Sequence, residues 1–328
     1  MLRYLGKRLI SLVVVFFIIS IVLFGVFRLM GGDPVSIMIG DSRPAGVTYE
    51  AWEQMRQNEA QRLGLDQPLP IQYFRWITDL LQGDLGFSIT HRRPVTQVLP
   101  TPIQTTLLLN SIVMLLTFLI AIPLGITTAV KKGSVYDSSV QTSTLLGFSL
   151  PMFITAIVGI MVFSVWLGWL PVSGFGTPGL EGSAWTLFWD RMRFLALPIM
   201  ILTFAQLAPL TRYIRVAMID ALSQDYTRTA RAKGLGEVAV IYKHAFRNSQ
   251  IPFVTSLMGW ILSLIGGTIV IETIFSINGM GGTFISALNL RDYNLALAIS
   301  MLFTIIALVG YIILDFIYVL VDPRVRLD

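Results

Sequence analysis

The sequence contains no cysteine among its 328 residues, and its only two histidines, His91 and His244, are far apart. The absence of cysteine excludes disulfide bonds, a thiolate nucleophile and cysteine-ligated metal sites, and it leaves the redox compartment undetermined. Two isolated histidines also argue against a histidine-rich metal site.

Charged residues are scarce as well. They make up 13% of the chain, against about 25% in soluble domains, whereas hydrophobic residues make up 54%. The mean hydropathy is +0.71, so the composition predicts an integral membrane protein. The net charge of +5 is small, and it suits cytoplasmic loops beside anionic lipid better than nucleic-acid binding.

Catalytic motifs are also missing. The pattern Gly-x-x-x-x-Gly-Lys-Ser/Thr does not occur, so the chain has no phosphate-cradling loop of its own. Neither His-Glu-x-x-His nor a Ser/His/Asp arrangement is present, and His244 has no matching acid at motif spacing. These absences argue against a membrane enzyme.

Long apolar runs are abundant, and they predict an all-α integral membrane protein with six transmembrane helices. The first run follows three basic residues and has no small-x-small cleavage site after it, so we expect an uncleaved span. Pro151 is expected to kink the third span. The predicted spans cover residues 9–27, 105–130, 139–170, 195–213, 251–275 and 295–320.

The basic residues between spans predict the orientation. Lysine and arginine concentrate at the N-terminus, after the second span, after the fourth span and at the C-terminus, so both termini are expected in the cytoplasm. This divides the chain into a cytoplasmic N-terminus with the first span (1–30), an external helical segment (31–104) and a five-span core (105–328) with a cytoplasmic loop at 214–250.

The segment 31–104 is the longest polar stretch. Tyr49 to Leu63 and Ile71 to Leu81 predict short amphipathic helices, and glycine-rich turns separate them. Such a segment could dock an external protein, form a lid, or only pack over the ends of the spans.

The loop after the fourth span carries the strongest pattern. Ala230 and Gly234 are four residues apart, so a helix through them would present a small face for close contact. Gly234 and Gly236 are expected to end this helix, and a second helix is expected from Glu237 to Phe246. The loop could dock into a partner, or it could be a solvated basic loop that only fixes topology. Its seven cations are Arg212, Arg215, Arg228, Arg231, Lys233, Lys243 and Arg247.

The loop sequence Asp225-Tyr-Thr-Arg-Thr-Ala-Arg-Ala-Lys-Gly-Leu, followed by His244-Ala-Phe-Arg-Asn, resembles the EAA loop of dipeptide and oligopeptide permeases. These are the membrane subunits of binding-protein-dependent ABC importers. Arg228 and Thr229 stand where the general EAA pattern has Glu and Ala. The resemblance implies the type I ABC importer permease fold, in which this loop is the coupling helix. The residues assigned to coupling on this basis are Tyr226, Arg228, Thr229, Ala230, Arg231, Ala232, Lys233, Gly234, His244 and Arg247.

The resemblance also implies an assembly in a bacterial inner membrane. Its other members are a second homologous permease chain, two ATP-binding subunits that carry ATP and magnesium, and an external substrate-binding protein. This chain is expected to bind no cofactor, metal or nucleic acid and to contact membrane lipid. The implied cargo is di- and oligopeptides, and the alternatives are nickel, glutathione, opines or oligosaccharides. A secondary transporter is a further alternative, although Glu272 and Asp315 lie toward span ends rather than at the midplane.

The fifth span supplies the candidates for the passage. Gly266 and Gly267 place small residues there, and Glu272 lies near the outer end. A carboxylate at the apolar boundary is costly unless it is paired. Glu272 is therefore a candidate gate, paired with a cation such as Arg28 or Arg291, or a structural group that orders the turn 276–282.

Overall fold

The computed structural model describes residues 2–30, 34–39, 42–62, 64–249 and 268–321. These residues are mostly helical, which confirms the all-α membrane class. Within them, strands occur only as a hairpin of two-residue strands, Phe87–Ser88 (β1) and Arg93–Pro94 (β2). The first helices are Leu2–Leu29 (α1), Pro34–Ile39 (α2), Tyr49–Arg62 (α3), Leu69–Leu81 (α4), Val95–Val98 (α5), Pro100–Val130 (α6) and Val135–Ser149 (α7). The later helices are Met152–Gly159 (α8), Ala184–Ser223 (α9), Asp225–Ala232 (α10), Ile269–Ile274 (α11), Met280–Asn289 (α12) and Tyr293–Val321 (α13), with π-helical segments at Ile160–Trp166 and Ala239–Phe246.

Among the described residues, four helices are long and apolar enough to cross a membrane: Gly6–Leu29 within α1, α6, α9, and Tyr293–Ile313 within α13. They confirm the predicted first, second, fourth and sixth spans. Most of the predicted fifth span, 251–275, lies outside the described residues. Its described part ends in α11.

The third span departs from the prediction of one kinked helix over 139–170. α7 and α8 are separate helices that meet at an angle of 100°. The break lies at Leu150, whose backbone is extended, and Pro151, which precedes α8. A residue before proline is driven out of the helical conformation, which explains a break sharper than a kink. The helical turns then end at Trp166.

α9 is longer than the predicted fourth span. It runs for 40 residues without interruption, with Pro198 and Pro209 inside it, and at 1.5 Å per residue it extends about 60 Å. A hydrocarbon core is about 30 Å thick, so α9 projects well beyond the membrane. The predicted fourth span, 195–213, lies within α9, and the first ten residues of the predicted loop continue this helix to Ser223.

The chain divides into two compact units, one with Met1–Ile103 and Thr283–Ile312 and the other with Gln104–Gly282 and Ile313–Arg326. In the first unit, α4 packs along α1. The hydroxyl groups of Ser20 and Tyr73 are 2.8 Å apart, and the Phe24 ring contacts those of Tyr73 and Trp76. α3 and α4 confirm the two short helices predicted between the first two spans.

The hairpin β1–β2 belongs to the same unit and packs on the start of α13. Asp292 is buried, and its Oδ2 accepts hydrogen bonds from the Ser88 hydroxyl (2.6 Å) and the Thr90 N–H (3.0 Å). Its Oδ1 accepts the N–H of Leu295 at 3.3 Å and caps the helix. The Asn294 side-chain amide also donates to a carbonyl of β1. Two segments about 200 residues apart in the sequence thus form one contact.

In the second unit, α6 and α9 approach each other closely. A Cβ added to Gly125 would lie 2.7 Å from the Ile214 side chain and 3.0 Å from the Thr211 carbonyl. Small residues of this kind allow membrane helices to pack backbone to backbone. The buried core near this contact includes Met218 and also Ala245 from the second π-helical segment, so this core attaches the basic loop to the spans.

Candidate functional site

The predicted coupling residues begin on a short helix that follows α9 directly. α10 starts at Asp225, after Gln224, whose backbone is extended. The Thr227 hydroxyl donates a 2.8 Å hydrogen bond to the Ala221 carbonyl in α9. Thr227 is fully buried and Ala230 is 4% exposed, and residues three apart share a helix face. That face of α10 therefore packs against the chain itself.

A glycine turn ends α10. Gly234 has a φ of +77°, a conformation that glycine adopts without steric cost. Its N–H donates to the Arg231 carbonyl at 2.9 Å, and the Leu235 N–H donates to the Ala230 carbonyl at 3.3 Å. These two bonds form a Schellman motif. The prediction that Gly234 ends the first helix is confirmed, and a Cβ added there would meet no other described residue beyond its chain neighbours within 4 Å.

An ion pair spans this turn. Arg231 donates from Nε to one oxygen of Glu237 at 2.8 Å and from Nη2 to the other at 3.3 Å. The Arg231 hydrogen bonds lower the pKa of the Glu237 carboxyl below its usual value, and the same contact raises the pKa of Arg231. Both side chains are exposed, so the pair orients the turn more than it stabilises the protein.

A second helix follows the turn, as the sequence predicts, but much of it is π-helical. Residues 237–249 are helical, and Ala239–Phe246 has π-type hydrogen bonding. Val240 and Ala245 are buried, His244 is half-buried, and Arg247 is exposed. π-Turns are uncommon and occur often at functional sites.

The exposed surface of the loop combines cations with apolar side chains. Eight of the ten predicted coupling residues are exposed: Tyr226, Arg228, Thr229, Arg231, Ala232, Lys233, Gly234 and Arg247. Three exposed apolar residues lie beside them and were not predicted from the sequence: Leu235, Val238 (72% exposed) and Tyr242. Their occurrence in an otherwise polar loop could have indicated an exposed apolar contact surface. We call this surface, from Tyr226 to Arg247, the loop face.

Ala230 does not face outward as predicted. The spacing predicts that Ala230 and Gly234 form one outward face for close contact. In the structure the Ala230 side chain is buried within the chain, because Thr227 fixes that side of α10 against α9. Only Gly234 of the two borders open space.

A buried ion pair lies at the base of the loop and was also missed. Arg215 in α9 donates to both carboxylate oxygens of Asp137 in α7, at 2.8 Å and 2.6 Å. Asp137 also accepts the Gly133 N–H at 3.0 Å, and the Ser134 hydroxyl caps α7. An acidic residue in the first turn of a membrane span needs a partner. The position of Asp137 in the sequence could therefore have indicated an ion pair. This pair joins two helices of the unit next to the loop.

Glu272 in α11 lies at the centre of a second polar site. The carboxylate is 1% exposed. One oxygen accepts hydrogen bonds from the Thr106 hydroxyl (2.9 Å) and the Thr268 N–H (3.3 Å), and the other accepts the Gly282 N–H (2.8 Å). The Thr106 hydroxyl in turn accepts the Met280 N–H at 2.8 Å. The carboxylate thus organises the turn between α11 and α12.

These donors are a hydroxyl and two backbone N–H groups, and none of them is charged. They match the expectation that Glu272 orders the turn 276–282. The expected gating partners Arg28 and Arg291 belong to the other compact unit, and gating stays a prediction. Gly266 and Gly267, the other passage candidates, lie outside the described residues.

Comparison with known proteins gives two family matches that together span nearly the whole chain. Residues 121–327 match the family described as "Binding-protein-dependent transport system inner membrane component". Residues 1–110 match "Binding-prot-dependent transport system membrane comp, N-term".

Full-length relatives agree with these matches. The chain is 37% identical over 341 residues to the di/tripeptide transport system permease protein DppB of Pseudomonas aeruginosa (strain UCBPP-PA14), with 99% of each chain covered. It is 34% identical over 327 residues to the oligopeptide transport system permease protein AppB of Bacillus subtilis (strain 168), covering 99% of this chain and 100% of the relative. A putative peptide permease protein of Brucella suis biovar 1 (strain 1330) is 36% identical over 327 residues, with 99% of each chain covered.

Proposed function

Because the chain belongs to the family of binding-protein-dependent transport system inner membrane components, we propose that it forms half of the passage of an ATP-driven importer for di- and oligopeptides. The peptide cargo is supported by the names of full-length relatives, which are permeases for di/tripeptides and oligopeptides. Nickel, glutathione, opines and oligosaccharides are the competing cargoes.

The loop face is proposed as the surface that docks in a groove of an ATP-binding subunit. The observation that carries this proposal is the rigid attachment of the loop. α10 is fixed to α9 by the bond from Thr227 to Ala221, and its end is fixed by the Schellman motif at Gly234. A partner that moves α10 therefore also moves the end of α9.

α9 provides the path into the membrane. It is one continuous helix from Ala184 to Ser223, and at its loop end the Asp137–Arg215 pair ties it to α7. A helix satisfies its own backbone hydrogen bonds, so it transmits a displacement as a rigid element. In this proposal, closure of the ATP-binding subunits moves α10, and α9 and α7 follow.

The proposed assembly has four further members: a second homologous permease chain, two ATP-binding subunits and an external binding protein. ATP and magnesium bind to the ATP-binding subunits, and this chain contributes no catalytic residue. Both termini and the loop face are proposed to be cytoplasmic, because lysine and arginine concentrate there. Glu272 is proposed to hold the turn 276–282. Gly266 and Gly267, in the fifth span, are proposed to line the passage.

The test of transport uses the assembled complex. The tagged chain is purified from its own host, the co-purifying subunits are identified, and the complex is reconstituted in liposomes with its binding protein. We expect uptake of labelled di- or oligopeptides that requires ATP. Uptake by this chain alone, driven by a proton or sodium gradient, would indicate a secondary transporter. ATP-dependent uptake of only a competing cargo would overturn the peptide assignment.

The absence of cysteine makes the orientation testable. Single cysteines replace Arg43 in the segment 31–104 and Lys233 on the loop face, both of which are exposed. An impermeant maleimide should label Arg43→Cys in cells whose outer barrier is permeabilised, and Lys233→Cys only after the inner membrane is broken. The reverse pattern would overturn the proposed orientation.

A further inference from the structure

A small pocket lies at the end of α1 that leads into the segment 31–104. Its volume is about 220 Å³, and it is enclosed by α1, by α4 with the turn before it, and by the first turns of α13. All three belong to one compact unit. Pockets for drug-sized ligands measure about 300–1,000 Å³, so this one suits a small polar group better than a peptide.

The pocket contains one cation. The Arg28 guanidinium is half-buried and lies 5.3 Å from the centre of the Phe24 ring. In the part of the chain that the structure describes, no carboxylate lies within ion-pair distance of it. Stacking on an aromatic face leaves the N–H edge of a guanidinium available, and that edge binds phosphate with two parallel hydrogen bonds.

Gln72, which lines the pocket, also carries a buried acceptor that lacks a donor. The Gln72 side-chain nitrogen donates to the carbonyls of Leu65 (3.3 Å) and Gln67 (2.7 Å). These two acceptors fix the orientation of the amide, because its oxygen could not take their place. The Gln72 Oε1 atom is buried and has no hydrogen-bond partner among the described residues. Buried polar atoms are normally satisfied, so the site calls for an N–H or O–H group from outside the chain.

The surroundings of the pocket are those of a membrane surface. It lies where the apolar runs of α1 and α13 end, and Trp76 and Tyr293 line it. Tryptophan and tyrosine concentrate at the head-group level of membranes. Farther along the same two helices, a second hollow of about 290 Å³ is lined only by apolar side chains, among them Phe16 and Leu308. If a lipid binds with its head group at Arg28, the second hollow provides an apolar surface for one of its acyl chains.

We propose that this pocket binds the head group of a glycerophospholipid whose polar end carries a hydrogen-bond donor. The phosphodiester contacts Arg28, and the donor, a hydroxyl or an ammonium N–H, bonds Gln72 Oε1. Phosphatidylglycerol and phosphatidylethanolamine share this chemistry. Phosphatidylcholine has the same phosphodiester but no N–H or O–H in its head group, so it tests the role of Gln72. The proposal is independent of the cargo and of the coupling surface.

The experiment measures lipid retention by the delipidated, full-length chain in detergent, using native mass spectrometry. Phosphatidylglycerol, phosphatidylethanolamine and phosphatidylcholine with identical acyl chains are titrated separately. We expect the first two to bind about fivefold more tightly than phosphatidylcholine, because only they satisfy the buried acceptor. Equal binding of all three would overturn the proposal. A parallel titration with soluble glycerol 3-phosphate should not displace the lipid, and displacement at matched concentrations would indicate a site for soluble anions instead.

Variants of the lining residues test whether the lipid binds in this pocket. Arg28→Gln should weaken binding of phosphatidylglycerol and phosphatidylethanolamine about tenfold, and Arg28→Lys, which keeps the charge, should restore part of it. Gln72→Met should remove the preference over phosphatidylcholine. The matched control is Arg75→Gln, because Arg75 is an exposed cation on α4 outside the pocket lining. If Arg28→Gln elutes as a folded protein and retains lipid as well as Arg75→Gln does, the pocket is not the lipid site.

Discussion

Arg215 binds Asp137 through two hydrogen bonds of 2.8 Å and 2.6 Å, and this contact joins α9 to α7 at the base of the loop face. Asp137 is nearly inaccessible to solvent and Arg215 is only slightly accessible. The pair is therefore protected from the screening that weakens surface ion pairs. It ties the proposed lever, α9, to a second helix of the same unit.

Breaking this pair should destabilise the protein. Asp137→Asn leaves the partly buried Arg215 guanidinium without its charged partner, and a lost hydrogen bond between charged groups costs about 1.5–3 kcal/mol. The midpoint of thermal unfolding in detergent should fall. The double variant Asp137→Asn/Arg215→Gln should lose less than the sum of the two single variants. Arg212→Gln is the control, because Arg212 is exposed on the same helix. Additive losses would show that the two side chains do not interact.

The hairpin contact gives a second prediction. Ser88→Ala removes the 2.6 Å bond to the buried carboxylate of Asp292. A buried acceptor that loses one donor costs about 1–3 kcal/mol. Limited proteolysis should then cut the hairpin 87–94 faster than in the unaltered chain, and the unfolding midpoint should drop. Ser42→Ala, at an exposed position, should change neither, and unchanged proteolysis of Ser88→Ala would contradict the assigned contact.

Substitutions at Glu272 and at its partner Thr106 distinguish a structural role of the carboxylate from a gating role. The carboxylate accepts three hydrogen bonds on two oxygens, and a glutamine amide offers only one oxygen. Glu272→Gln should therefore lower stability, and Thr106→Val should do the same because it removes a donor from the same network. Transport and unfolding are measured on both variants. A gate predicts instead that Glu272→Gln is stable but slow, with Thr106→Val normal in both assays.

Low pH should loosen the loop turn. The pKa of Glu237 is lowered by Arg231, so the pair stabilises the turn above the usual carboxyl pKa of about 4.3. That contribution is lost as the pH falls through the lowered pKa of the folded state. A nitroxide on Val238→Cys should report constant mobility from pH 7 to about pH 5 and increased mobility in stronger acid. In the Arg231→Gln background the label should be mobile throughout, and a matching pH dependence there would rule out this pair as the cause.

The sequence predicted the features that depend on local pattern. Apolar runs located the spans of α1, α6 and α13 and the core of α9, and Gly234 was correctly assigned to the end of α10. The features that could not be predicted from the sequence depend on tertiary contacts. The partnership of Asp137 with Arg215 crosses 78 positions, and no local rule identifies such a pair. The inward orientation of Ala230 follows from one hydrogen bond between Thr227 and Ala221, which spacing alone does not indicate.

The break at Pro151 shows a further limit. Proline in a membrane span is compatible with a kink or with two separate helices, and the choice depends on what the following helix packs against. α8 contacts α9 through Gly159, where a Cβ would lie 3.2 Å from Ile201. That packing exists only in the folded unit. The sequence therefore predicted the position of the break but not its 100° angle.

The central claim is that the loop face couples this chain to its ATP-binding subunits, and Gly234→Leu tests it most directly. Gly234 has a φ of +77°, so leucine strains the turn, and its side chain would enter open space where the partner is proposed to dock. Gly179→Leu is the matched control, since Gly179 has a φ of +74° and equally open surroundings in another loop. The measurement is pull-down of the ATP-binding subunits together with substrate-stimulated ATP hydrolysis in reconstituted membranes. Gly234→Leu should abolish both at normal membrane levels while Gly179→Leu preserves both; full subunit binding and stimulated hydrolysis by Gly234→Leu would contradict the claim.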